Sequence, residues 1–133
     1  MQNRIKKLFS ITAVVAAMAL FSPFAFGQSV PVKIYWDEDL DPCGYGVVRG
    51  LNPNRDGFLA VRTGPGTSYG LVDKIFEEQE LYLCDYSDGW HGVLYTKKGT
   101  DCFENVPQGR VSDYNGRCWH GWAHENWILF LAG

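Results

Sequence analysis

The sequence predicts an all-β fold, a small barrel of short strands, and three observations carry that prediction. Segments of five to seven residues alternate apolar and polar side chains, as in FLAVR at 58–62, LVDKIF at 71–76, LYLCDY at 81–86 and WHGVLYT at 90–96. Alternation with a period of two is the pattern of a half-buried strand. Clusters of Gly, Pro, Asn, Asp and Ser separate these segments, which is turn chemistry. Tryptophans recur near the strand starts, and little of residues 28–133 reads as helix. So small an open sheet leaves its edges exposed, and closing it on itself removes them.

The chain begins with a segment that is not expected to join the fold. Arg4, Lys6 and Lys7 precede the apolar run 8–22, and Ala25 and Gly27 are the small residues a signal peptidase accepts. This reads as a signal peptide over 1–27, cleaved after Gly27, for a periplasmic or secreted protein. The run is too short for a confident membrane span, so the mature chain is not expected to be membrane-embedded. The remaining 106 residues suffice for one domain. They carry nine Lys and Arg against fifteen Asp and Glu, a net charge of −6. That balance argues against nucleic acid or an anionic membrane as partner and suits a basic protein or cationic wall groups.

The elements follow in order. VKIYW at 32–36 alternates as a strand, and the acidic stretch 37–46 reads as a loop. GVVRGL at 46–51 is a further strand, ended by the turn NPNRDG at 52–57. Residues 28–56 thus form an N-terminal β extension ahead of a barrel over 57–133. FLAVR opens that barrel with Leu59 and Val61 on one face and Arg62 on the other. TGPGTSYG at 63–70 is a broad loop, because three glycines and a proline oppose a regular strand. LVDKIF follows, then the polar connector EEQE, then LYLCDY with Leu81 and Leu83 inward. The tight turn SDG at 87–89 returns the chain into WHGVLYT as a hairpin. Residues 97–118 are polar and glycine-containing and form an inserted loop. GWAHENWILFL at 121–131 closes the chain as strand, turn around His124–Asn126, and strand.

All four cysteines, Cys43, Cys84, Cys102 and Cys118, lie in this mature part. An even count in an exported chain points to two disulfides. Three pairings are open. Cys102–Cys118, which staples the insert, with Cys43–Cys84, which ties the extension to the barrel, is the favoured one. No C-x-x-C pair is present, so zinc is not expected.

The run LAVRTGPGTSYGLVDKI resembles the opening of bacterial SH3-like (SH3b) domains. The later L-x-L-x-x-x-x-D-G-W-x-x-V-x-Y and the G-W-A at 121–123 are similar to the same family's second hairpin and penultimate strand. The resemblance covers residues 57–131. It implies an SH3-like barrel acting as an exported, non-catalytic binding module, with cell-wall peptide or a periplasmic protein as ligand. The extension and the cysteine-bounded insert depart from the family's pattern, at positions able to cover its usual ligand surface.

Tyr69, Trp90, His91, Tyr95, Trp119 and Trp122 are the candidate ligand-binding residues, since large rings with one polar tip give flat contact area for peptide or sugar. Core packing is the competing role, above all for Trp90 and Trp122. His91 is expected half-buried in strand phase with Val93 and Tyr95, giving binding a pH dependence. His120 and His124 stand four apart but lack a third ligand, so neither metal nor cofactor is expected. NPNRDG matches only half of a calcium loop, with Thr63 where the closing Glu belongs. The cysteines are spoken for by disulfides, so Cys–His catalysis, and enzymatic activity in general, is not expected. Asp37, Glu38, Asp39 and Asp41 form a solvated acidic face. Two functions fit these features: a binding module for peptidoglycan peptide or an exported protein, or an immunity protein that blocks a secreted toxin or wall hydrolase through that face.

Overall fold

A computed structural model describes residues 28–96 and 99–133; the expected signal peptide lies outside the described residues. Nine strands follow in order: β1 Lys33–Tyr35, β2 Gly44–Val48, β3 Leu59–Arg62, β4 Leu71–Ile75, β5 Glu80–Ser87, β6 Trp90–Tyr95, β7 Val111–Asp113, β8 Trp119–His124 and β9 Ile128–Ala132. A 3-10 turn, Glu125–Trp127, links the last two. The fold is all-β, in two antiparallel sheets. Seven strands pair in the order β4-β3-β8-β6-β5-β2-β9, while β1 pairs with β7.

The central strand β6 explains the layering. Successive side chains on a strand point to opposite faces, and β6 buries both sets. Val93 and Tyr95 join a core with Val48, Leu59, Val61, Ile75, Leu81, Leu83 and Ala123, around which the large sheet curls. Trp90 and Leu94 join a second core with Val32, Ile34, Cys84, Tyr114 and Trp122. That second core lies under the small sheet, one strand of which comes from the extension and the other from the insert. A strand covered on both faces loses its polar side, which is why WHGVLY is buried at four of its last four positions.

Three expectations are corrected. No ladder joins β4 to β9 among the described residues, so the large sheet is curled but open where a closed barrel was expected. The β1–β7 layer supplies the apolar cover for one face. The edges are blunted unequally: β4 exposes Leu71 and Val72 but carries Asp73 and Lys74 beside them, whereas β9 exposes Leu129, Phe130 and Leu131 with no charged residue. The insert, expected to be loop, contains β7, and β2 starts two residues before its expected position. Gly46 permits that start, because a Cβ there would lie 2.9 Å from the Leu129 carbonyl oxygen. Only glycine lets β9 approach so closely.

The disulfides are Cys43–Cys84 and Cys102–Cys118, the favoured pairs. Leu83 pairs with Val93 and Asp85 with Gly92, so Cys84 is the extra residue of a β-bulge. Alternation from Leu83, which faces the first core, puts Cys84 in the second. Asp85 then accepts the Lys33 amide at 2.8 Å, fastening β1 to β5. Two disulfides suit an oxidising extracellular environment. Among the described residues no helix is long and apolar enough to cross a membrane.

Tyr114 locks the insert. Its hydroxyl donates to the Cys102 carbonyl and accepts the Cys118 amide, both at 3.0 Å, and its own amide donates to the Val32 carbonyl at 2.8 Å. Tyr114→Phe leaves a buried carbonyl and a buried amide unpaired. The expected cost is about 2 kcal/mol, measured as a lower midpoint in denaturant with unchanged m.

Candidate binding groove

The segment ahead of β1, the arm Ser29–Val32, builds one wall of a groove. Val30 donates its amide to the Thr63 carbonyl at 2.8 Å, and its carbonyl accepts the Trp122 indole N–H at 2.8 Å. The arm is thereby held across β3 and β8 with Val32 buried beneath it. Between the arm, β3, β4 and β8 lies a groove of about 690 Å³.

Its polar groups carry both signs of charge. Arg62 is held by a hydrogen bond from its guanidinium to the Tyr69 carbonyl at 2.9 Å. Its Nε is buried and has no protein partner, a donor that a bound acceptor would satisfy. Asp73 accepts the Tyr95 hydroxyl at 2.7 Å and the Lys74 amide at 2.8 Å. Burial, and then the Asp73 carboxylate, push the Tyr95 phenol far above its ordinary range, so it remains a donor. Trp119 is 46% exposed, with its ring centroid 5.8 Å from that of Tyr95. His120 stacks on Tyr114 at 5.1 Å. An exposed indole, a guanidinium and a carboxylate thus border one hollow.

Of the six candidate residues, the groove brings together Trp119 and Tyr95. Tyr95 is only 1% exposed and contributes at the base through its hydroxyl. Trp122 and Trp90 belong to the second core; Trp122 positions the arm, and Trp90 packs edge-to-face on His124 at 5.1 Å. Tyr69 lies against the glycine-rich loop. A Cβ on Gly64 would meet its ring at 2.3 Å, so its side chain shapes the loop while its carbonyl aims Arg62. His91 faces another hollow beside Tyr86 and Phe130. Arg62, Asp73 and His120 were not singled out for binding from the sequence. A charge on an alternating strand reads as solvated until the arm walls it in.

The remaining motifs have structural roles. Asn52 closes an Asx turn by accepting the Asn54 amide at 2.8 Å, and His124 Nδ1 accepts the Asn126 amide at 3.1 Å to cap the 3-10 turn. No group of three or more metal-ligating side chains assembles among the described residues.

Burial holds the pKa of His91 below its usual value near 6.5, with Glu125 opposing that shift. The folded state therefore prefers the neutral imidazole. Its stability contribution is present above pH 6.5 and is lost as pH falls through that value, where the unfolded chain takes the proton first. His91→Gln is expected to flatten the pH dependence of the unfolding midpoint below pH 6.5. Equal dependence in both proteins contradicts this assignment.

No family model matches this chain, and neither the curated proteins nor the solved structures contain a significant match to it.

Proposed function

We propose that the protein is an exported, non-catalytic binding module whose groove between the arm and β3, β4 and β8 takes a short peptide bearing both an acidic and a basic group. The observation that carries this reading is the placement of Arg62, Asp73 and the exposed Trp119 around one groove. Peptides of the cell wall carry free carboxylates and amino groups close together, which is the matching chemistry. The SH3-like motifs support the same assignment, with the outer face of the sheet covered by the extension and insert. All four cysteines are bonded in disulfides, which leaves no thiol nucleophile. The groove is also partly apolar through Val72 and Trp119, as ligand sites generally are.

The test is co-sedimentation with purified peptidoglycan sacculi. The protein is expected to sediment, and Trp119→Ala to weaken binding about tenfold, the usual scale for removing an aromatic anchor. Sedimentation that Trp119→Ala leaves unchanged contradicts the groove assignment.

A second reading, an immunity protein, draws on one feature. Asp37, Glu38, Asp39 and Asp41 are all exposed on the loop between β1 and β2, where they favour fast association with a basic enzyme. That reading requires one tight protein partner and no affinity for sacculi.

A further inference from the structure

Away from the groove, four aromatic rings stand in file. Trp36 follows β1, Phe103 lies in the insert, Tyr82 is on β5 and Tyr45 on β2. Ring centroids are 6.1 Å apart from Trp36 to Phe103, 5.0 Å from Phe103 to Tyr82, and 6.0 Å from Tyr82 to Tyr45. The successive planes are steeply inclined, at 86°, 77° and 69°. Such edge-to-face contacts set the positive rim of one ring against the negative face of the next. All four side chains are half-buried. They line a hollow of about 400 Å³ that also takes in Asp41 and, among the described residues, no lysine or arginine.

The hollow is assembled from four distant stretches of chain, and both disulfides hold it. Cys43, in its wall, is bonded to Cys84 beside Tyr82. Phe103 follows Cys102, which is bonded to Cys118. Glu80 is hydrogen-bonded to the Tyr45 hydroxyl and raises its pKa, so a second carboxylate stands beside the last ring of the file. Aromatic faces with nearby carboxylates attract cations, and guanidinium more than ammonium. The guanidinium is planar, weakly hydrated, stacks on rings and matches a carboxylate with two parallel donors. The net charge of −6 over residues 28–133, with exposed Asp37, Glu38 and Asp39 in the chain between the lining residues Trp36 and Asp41, draws such a group inward.

We propose that this hollow is a second binding site, which takes the arginine side chain of a peptide or protein partner. It shares no lining residue with the groove, so it stands independently of the function assigned above. Arginine lies against the rings while Asp41 accepts from its guanidinium.

The experiment is an NMR titration of the oxidised protein with Nα-acetyl-arginine amide, and separately with its neutral isostere Nα-acetyl-citrulline amide, following the Trp36 indole N–H. The arginine probe is expected to shift that signal saturably, with affinity about fivefold above citrulline. Asp41→Asn, an exposed change that spares the core, is expected to weaken the arginine probe about threefold and leave citrulline unchanged. Trp119→Ala is expected to alter neither. Equal affinity for the two probes overturns the proposal, as does no saturable shift of Trp36, or an Asp41→Asn protein that binds arginine as tightly as before.

Discussion

Trp122→Ala is expected to destabilise the protein by about 4 kcal/mol, within the range for removing a large core ring. Trp122 is 2% exposed and sits in the core between the two sheets. Its indole also holds the N-terminal arm through the Val30 carbonyl. Two losses therefore combine: a cavity beneath the small sheet, and a freed arm that no longer walls the groove. For a domain of this size, about 4 kcal/mol corresponds to a melting temperature lower by roughly 15–30 °C. Trp122→Phe separates the two effects, since most of the volume remains while the hydrogen bond is lost. Its expected cost is about 1–2 kcal/mol, with faster hydrogen exchange at the Val30 amide. A Trp122→Ala protein within about 1 kcal/mol of the parent contradicts the two-core account.

The second large effect is removal of Cys43–Cys84. This bond spans 41 residues, and Cys102–Cys118 spans 16. In the chain-entropy description the larger loop restrains the unfolded chain more, giving about 4 kcal/mol against about 3 kcal/mol. Cys43→Ala with Cys84→Ala is therefore expected to lower the melting temperature more than Cys102→Ala with Cys118→Ala. The structure sharpens the contrast, because Cys84 lies on the bulge of β5 while Cys43 leads directly into β2. Without the bond, the acidic loop is tied to the large sheet through β2 alone. Cys102–Cys118 has Tyr114 bridging the same two residues by hydrogen bonds, so the insert retains a clasp. The reverse order of melting temperatures contradicts this ranking.

Local pattern made part of this fold legible. Leu59 and Val61 alternate with Ala60 and Arg62, and they are buried as their spacing requires. The turn at Ser87–Gly89 and the hairpin of β5 and β6 follow from short-range chemistry, with Asp88 and Gly89 both at positive φ. What stayed hidden depends on distant partners. β7 is three residues, VSD, with little apolar character, and it is a strand only because Lys33–Tyr35 pairs with it from about eighty residues away. The open sheet has the same cause: WHGVLYT looks alternating until Val32 and Ile34 cover its second face. In the groove, Trp119 stood out as an aromatic directly after the insert. Arg62 and Asp73 did not, since their significance comes from an arm that reaches them across the fold. Trp90 and Trp122 carried an ambiguous signal, because a tryptophan serves packing and binding equally well by composition, and burial separates the roles.

The groove assignment is tested most directly by titrating the isotope-labelled protein with a soluble, purified wall stem peptide and mapping the shifted resonances. The expected result is saturable change centred on the Trp119 indole and the Arg62 side chain, lost in Trp119→Ala, weakened in Arg62→Gln and preserved in Asp41→Asn. A titration that leaves Trp119 and Arg62 unmoved, or an Arg62→Gln protein that binds the stem peptide as tightly as the parent, contradicts it.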